Sequence, residues 1–273
     1  MPDTETKEEK KALHKILQVL ACSDLRKSLA ETLQDGKSLT LSQLSERVGA
    51  SSPAAVHALR ELAKEHLTYQ DEKRNYSLTN IGEIVMRKLE EINIAIDVLL
   101  KHSEFWLEHD LSGIPTSLLD KIGCLEESDV IFSTPTDLFK IVSTYNMLLQ
   151  NAKEVRGVAP IFTEDMPPSF IQLVAKGGDI ELVLTPQVLN AVLERVDRSE
   201  LKEALQGNLK LFTIEPQPNI AFTVTDYFME LGFFRYDGTY DWSNELLSYS
   251  KDSLSWGRKL FQYYFEQAEV VVI

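Results

Sequence analysis

Cysteine is nearly absent. Cys22 and Cys124 are the only two in 273 residues, too few for a disulfide framework and suited to a reducing compartment. No apolar run reaches the roughly 18 residues needed to span a bilayer, so a membrane is not expected among the partners. The opening stretch MPDTETKEEKK is too charged for a secretory signal, and the cytoplasm is the expected location. Catalytic signatures are missing as well: there is no Walker loop, GxGxxG, GxSxG or HExxH. None of the five histidines has a lysine two positions on, the spacing that phospholipase-D-like phosphodiester cleavage uses. His102 and His109 have no third soft ligand nearby and both cysteines lie far away in sequence. Catalysis, a cofactor and a metal are therefore not expected.

What the chain does have is apolar content, at 44%. That is enough for well-packed cores, and the length fits two domains. The net charge of −14 looks unfavourable for a partner as negative as a nucleic acid. Its distribution changes that reading. Residues 1–80 carry 12 Lys/Arg and 12 Asp/Glu, which leaves 16 against 30 for residues 81–273. A neutral first part joined to an acidic body permits nucleic-acid binding through one dedicated face.

Residues 40–79 organise the rest. Thr40 followed by Gln43 has the pattern of a capping box, and Leu41, Leu44 and Val48 keep one apolar side on the helix that follows. Gly49 ends it, since a left-handed terminal residue is cheapest without a Cβ. Ser52 caps a second helix beginning at Pro53, with Val56, Leu59, Leu62 and Ala63 as its buried side. Leu67–Gln70 and Tyr76–Thr79 flank the polar tip Asp71–Asn75, a hairpin signal. Helix, sharp turn, helix and hairpin make the layout of a winged helix-turn-helix, and double-stranded DNA becomes the first partner to consider.

Upstream, residues 8–22 read as a helix through Leu13, Ile16, Leu17 and Leu20, and Ser23 caps another over Asp24–Gln34. Downstream, Thr79 caps a long helix from Asn80 to His102. Its stripe of Ile81, Ile84, Val85, Leu89, Ile92, Ile96, Leu99 and Leu100 is broader than one packed face requires. A two-fold protein matches two DNA half-sites, so this helix is expected to form a homodimer; the plainer reading is a helix packed on its own second domain. From Phe105 strand-like and helix-like runs alternate. Strands are expected at 129–133, 155–161 and 180–185, with helices at 137–152, 169–176, 187–196 and 198–206. A meander over 209–214, 220–225, 229–235 and 246–250 and a closing helix over 254–269 follow. The pattern implies parallel strands continued by antiparallel ones under a cover of helices.

FWLEHDLSGIP at 105–115, EVRGVAPIF at 154–162, LVLTPQVL at 182–189, AFTVTDYFMELGFFRYDGTYD at 221–241 and SLSWGRKLFQYYFEQ at 253–267 resemble the C-terminal domain of the predicted methanogenesis-regulator (FilR-type) transcription factors. Those archaeal winged-helix regulators are broadly similar to TrmB-like regulators. With the winged helix in front, the resemblance covers nearly the whole chain. It implies a cytoplasmic, DNA-binding, dimeric transcription regulator whose C-terminal domain senses a small-molecule effector. The expected class is α+β overall: an N-terminal winged helix-turn-helix over 1–80, a linker and dimerisation helix over 81–103, and a C-terminal mixed α/β sensor domain over 104–273. The alternatives are a winged-helix protein-interaction module without DNA binding and a phospholipase-D-like hydrolase derivative.

In a winged helix the exposed side of the second motif helix enters the major groove. The residues expected there are Ser51, Ser52, Ala54, Ala55, His57, Ala58, Arg60, Glu61 and Lys64. Arg60 suits a bidentate contact to guanine, His57 a donation to a base acceptor, and Ser51 and Ser52 a phosphate at the helix N-terminus. Lys73 and Arg74 at the wing tip suit backbone or minor-groove contact. The plain reading pairs Arg60 and Lys64 with Glu61 and Glu65 on the surface. For a ligand pocket, the polar-aromatic residues Trp106 and His109, beside Glu108 and Asp110, and the turn residues Tyr236, Asp237 and Tyr240 are the candidates. The alternative for the first group is packing at the domain joint.

Overall fold

Residues 15–271, apart from Leu17 and Asp165, are described by a computed structural model. The chain forms two compact units, residues 1–93 and 94–273. Of the helix expected over 8–22, residues 8–14 and Leu17 lie outside the described residues; 15–16 and 18–21 are helical, with Val19 and Leu20 buried.

In the first unit, α1 (Asp24–Thr32) begins where the Ser23 side chain accepts from the Arg26 amide. A two-residue strand, β1 (Leu39–Thr40), leads into α2 (Leu41–Val48). Both halves of the capping box are present: the Gln43 amide donates to Thr40 Oγ1 at 3.3 Å, and the Thr40 amide donates to Gln43 Oε1 at 2.9 Å. Gly49 ends α2 at φ 65°, a left-handed conformation that costs a glycine little. The next helix, α3 (Ser52–Lys64), starts one residue earlier than its pattern suggests: Ser51 is the cap and Pro53 stands in the first turn. Two strands, β2 (Thr68–Gln70) and β3 (Asn75–Leu78), make the wing, and β1 adds to its outer side in the order β1-β3-β2. Leu29, Leu33, Leu44, Leu59, Leu62 and Leu67 fill the core beneath.

Thr79 Oγ1 accepts from the Gly82 amide at 2.9 Å and so caps α4 (Asn80–Lys101), within which the two units divide. The second unit begins with two short helices, α5 (Ser103–Glu108) and α6 (Thr116–Leu119). Then come β4 (Ser128–Phe132), α7 (Lys140–Leu149), β5 (Glu154–Ala159), α8 (Met166–Ala175), β6 (Asp179–Leu184), α9 (Pro186–Arg195) and α10 (Arg198–Gln206). The meander β7 (Leu209–Thr213), β8 (Ile220–Thr225), β9 (Met229–Phe233) and β10 (Asn244–Ser248) leads to α11 (Lys251–Phe265) and a short β11 (Glu269–Val270). The eight strands form one sheet in the order β11-β7-β6-β5-β8-β9-β10-β4. β5, β6 and β7 are parallel neighbours, and the remaining pairs are antiparallel.

β4 departs from expectation. It does not open the parallel series but closes the far edge, antiparallel to β10. Its own residues give the reason: Val130 is buried while Asp129 and Phe132 are exposed, the alternation of a half-covered edge. β6 has the continuous apolar run, Leu182–Leu184 all buried, of a strand covered on both faces. Trp256, Leu260 and Phe261 of α11 cover one side of the sheet with Phe105 and Trp106. Helices α7 to α10 cover the other through Tyr145, Leu149, Phe170, Leu173, Val188 and Leu201.

Thr40→Ala removes the acceptor for the Gln43 amide and is expected to lower the stability of residues 1–93 by about 1 kcal/mol. Urea unfolding followed by circular dichroism reads this directly; an unchanged midpoint would show that the box contributes nothing.

Candidate functional site

Helix α3 presents a face set by the opposite one. Ala55, Ala58, Leu59 and Leu62 are buried against the first unit's core, which leaves Ser51, Ser52, Ala54, His57, Arg60 and Lys64 exposed. Two expectations are corrected here. Ala55, assigned to the DNA side, is fully buried, and Ala58 goes with it; Ala63, assigned to the core, is exposed. Alanine is small enough to serve either side, so the apolar pattern fixed the phase of this helix only to within about one residue. Glu65 pairs with Lys15 at 2.7 Å, and among the described residues no carboxylate forms an ion pair with Arg60, Lys64, Lys73 or Arg74.

The wing tip is built to hold its two cations outward. The Asn75 amide donates to Asp71 Oδ1 at 2.7 Å, the Arg74 amide to the Asp71 carbonyl at 3.0 Å, and the Asp71 amide to the Asn75 carbonyl at 2.8 Å. These bonds force Arg74 to φ 65°, a left-handed conformation that an arginine adopts at a cost. Lys73 and Arg74 are both exposed.

In the second unit the expected ligand residues do not converge. Trp106 is buried, stacks edge-on against Phe105 and donates its indole N–H to the Val98 carbonyl at 3.1 Å. His109 is fully buried, with Nδ1 2.5 Å from the Phe105 carbonyl and Nε2 3.0 Å from Asp241 Oδ2. Both ring nitrogens are thus engaged by oxygen acceptors, which leaves neither for a metal or substrate. Burial pushes the Asp241 carboxyl up, but hydrogen bonds from Ser243 and His109 and the nearby Arg235 hold it below the usual range. Tyr236 and Asp237 are exposed on the turn around Gly238. Trp106 and His109 therefore tie the start of the second unit to its sheet, and of the five only Tyr240 faces a cavity.

That cavity is one the sequence reading missed. On one side of the sheet small residues lie next to one another: Gly157 pairs with Thr223 across β5 and β8, and Ala221 with Gly232 across β8 and β9. The resulting hollow lies among Tyr145 of α7, Phe170 of α8, Tyr240 and Trp242. Two carboxyl groups point into it. Glu230, opposite Thr223, and Glu245 are both buried. Tyr240 donates to Glu245 Oε1 at 2.5 Å, and the hydroxyls of Tyr145 and Thr223 are 3.1 Å apart. Burial pushes the Glu230 carboxyl well above the usual range, and Glu245 beside it pushes further. Burial also raises Glu245, against hydrogen bonds from Glu230 and Tyr240. Both carboxyls are thus pushed toward the neutral form, Glu230 the more strongly. A signal existed in the sequence: MELGF and NELLS each place one glutamate in an otherwise buried strand.

A winged helix with an unpaired basic face, followed by an α/β unit with a polar hollow beneath its helices, defines a two-unit winged-helix protein of α+β class. Models of the N-terminal and middle domains of methanogenesis regulatory protein FilR1 match residues 14–97 and 138–267, and the chain belongs to that family. It is 26% identical over 259 residues to methanogenesis regulatory protein FilR1 of Methanothrix harundinacea (strain 6Ac), covering 93% of this chain and 57% of that relative. The chain thus spans little more than half of the relative's length. Family and relative alike are described as a methanogenesis regulatory protein. Among solved structures, TrmBL2, an archaeal chromatin protein, aligns over 90% of this chain and 93% of its own at 15% identity and a TM-score of 0.44. The phospholipase D family member Nuc from Salmonella typhimurium aligns over 54% and 100%, at 15% identity and a TM-score of 0.40. Both likenesses are distant. No helix among the described residues is long and apolar enough to cross a membrane.

The carboxyl pair makes a pH prediction. Below the ordinary glutamate value of 4.5, both the folded and the unfolded chain hold the proton. Above it the unfolded chain releases the proton while the folded one keeps it, so stability falls as pH rises. Glu230→Gln removes that loss. The variant is expected to gain on the parent from about pH 4.5 to about pH 7.5, by up to about 1.4 kcal/mol for each unit over which only the folded form stays protonated. Urea unfolding at both pH values tests this; a difference independent of pH would refute the raised Glu230 carboxyl.

Proposed function

We propose that this chain is a DNA-binding transcriptional regulator that acts in the cytoplasm as a homodimer. Residues 1–80 are the DNA-binding head, 81–103 a coupling and dimerisation helix, and 104–273 a sensor of a small-molecule effector. Membership of a regulator family supports the regulatory role. One observation carries the DNA assignment: α3 and the wing expose Arg60, Lys64, Lys73 and Arg74 with no described carboxylate spoken for by any of them. Unpaired guanidinium and ammonium groups are what phosphate and guanine recruit.

The roles follow from position. α3 enters the major groove with Arg60 and His57 toward base edges, Ala54 allowing close approach. Ser51 and Ser52 receive a phosphate at the helix N-terminus, and Lys64, Lys73 and Arg74 hold the backbone. The dimer is supported by α4, whose Ile84, Ile92, Ile96 and Leu100 stay exposed along one side; isoleucine and leucine in such number on a solvent face signal a partner. Regulation requires that the effector bind one setting of the paired heads more tightly than another.

Retention on duplex DNA, titrated with salt, tests the reading. Arg60→Ala is expected to weaken binding to a specific site roughly tenfold, and Lys73→Ala to reduce the salt slope by about 1. Arg74→Gly relieves the left-handed arginine, so it should weaken retention while leaving stability equal or higher. Unchanged retention in all three would move the head to the protein-interaction reading. Ile92→Asp should convert dimer to monomer in sedimentation and weaken retention by more than any single basic substitution; a parent chain already monomeric at micromolar concentration would remove the dimer.

A further inference from the structure

The hollow beneath α7 and α8 holds an unanswered chemical demand. Glu230 is 4% exposed and its Oε1 has no hydrogen-bond partner among the described residues, although buried carboxyl oxygens are nearly always paired. Every group facing it is acidic, phenolic, hydroxylic or apolar: Glu245 from β10, Tyr240 from the turn, Tyr145 from α7, Thr223 from β8, with Asp241 close by. Among the described residues no Lys, Arg or His lines it. Two buried carboxyl groups therefore meet with no cation among the described residues to balance them, and burial favours their neutral forms. Around this polar floor the walls are carbon: Ile141, Ile161, Phe170 and the ring of Trp242.

We propose that this hollow binds a small organic cation, a primary ammonium ion on a short carbon chain. Its N–H groups bond Glu230 and Glu245, and its carbons lie against Ile141, Phe170 and Trp242. The proposal rests on the reading of residues 104–273 as a sensor and names the effector class. Other classes fit less well. An anion meets two carboxyl groups and no base. A wholly apolar ligand leaves the Glu230 oxygen unpaired. A metal ion lacks a third donor, since no group of three His, Cys, Asp or Glu that could hold one occurs among the described residues. The cavity volume is about 60 Å³, room for roughly four to six waters, which matches a ligand of that many non-hydrogen atoms. Glycine at 157 and 232 keeps the floor open: a Cβ at 232 would collide with the Tyr240 hydroxyl and sit 2.9 Å from Glu245 Oε1. The rings of Tyr240 and Trp242, edge-on at 4.8 Å, offer π surface to a cation. On binding, the ammonium supplies the counter-charge that lets the carboxyl pair ionise, so the proton held by the raised carboxyl leaves to solvent as the N–H···O bonds form.

The test uses the full chain with n-butylammonium, and n-butanol and butanoate as neutral and anionic isosteres. Butylammonium at millimolar concentration is expected to raise the melting midpoint. Calorimetry in two buffers of different ionisation enthalpy should show close to one proton released per cation bound. Glu230→Gln and Glu245→Gln, which keep shape and remove charge, should each weaken butylammonium at least tenfold. Equal binding of butanol, binding without proton release, or Glu230→Gln binding butylammonium unchanged would overturn the cation site. So would no binding of butylammonium at all, an outcome that leaves DNA retention and the regulator reading untouched. Binding with all these signatures but with DNA retention unaltered would sustain the cation site and overturn the sensor reading instead.

Discussion

Everything the first unit can present to a partner depends on how α3 is seated. Leu59 and Leu62 are driven inward by their own area, and Ala55 and Ala58 let the helix approach the core closely because they carry so little. A helix has one rotation that satisfies all four at once. That rotation places Arg60, His57 and Lys64 outside on a common side, since residues three and four apart are neighbours on the surface. Packing thus fixes the chemistry of the exposed face without any residue on that face contributing to the choice. The same seating spares the basic groups from internal pairing. Glu65 is turned toward Lys15, so it is already engaged rather than paired with Lys64.

The second unit obeys a different constraint. A sheet covered on both faces must bury nearly every residue of its central strands, and β8 and β9 do so without exception. Charge in such a strand is costly unless something compensates it. Glu230 and Glu245 sit in adjacent strands, where burial favours their neutral forms and Tyr240 donates to Glu245. Two apolar side chains of similar size would have packed there with no such strain on ionisation. Their place is instead matched by glycine and alanine on the neighbouring strands, so the sheet holds space and unpaired polarity at one point. His109 and Asp241 show the contrasting case: there the ring nitrogens, Arg235, Ser243 and Asn244 leave little polar capacity unmet.

The local signals were the legible ones. The capping box at Thr40, the left-handed Gly49, the Thr79 cap and the bounds of α10 and β8 each follow from a few consecutive residues, and local physics suffices to place them. The phase of α3 was not legible to the residue, because Ala54, Ala55, Ala58 and Ala63 carry too little apolar area to point a helix. Strand order failed for a deeper reason. The period of a strand reports which faces are covered and says nothing about which strand lies beside it; β4 could be placed at the edge only by weighing its alternation against the unbroken run in β6. The cavity was hidden by distance along the chain. Gly157, Tyr145, Glu230 and Glu245 share no local pattern, and only the sheet register brings them together. Trp106 and His109 misled in the opposite sense, since a dense polar-aromatic cluster is also what a well-satisfied joint in a core looks like.

The charge distribution bears on both units together. The −14 resides in residues 81–273, and residues 1–80 sum to zero. A neutral unit gains little from long-range attraction to a duplex, so in the proposed DNA-binding role contact would rely on the few exposed cations of α3 and the wing at close range, where salt screens least. The acidic remainder adds repulsion at every other approach. The consequence is selectivity of orientation obtained at the expense of non-specific affinity. In that proposed role the protein would dwell on the wrong sequence only briefly, and a modest change in how its cations meet the phosphates would shift the bound fraction steeply. A weakly held head of this kind is the setting in which a small ligand, with only a few contacts of its own to offer, has enough free energy to matter.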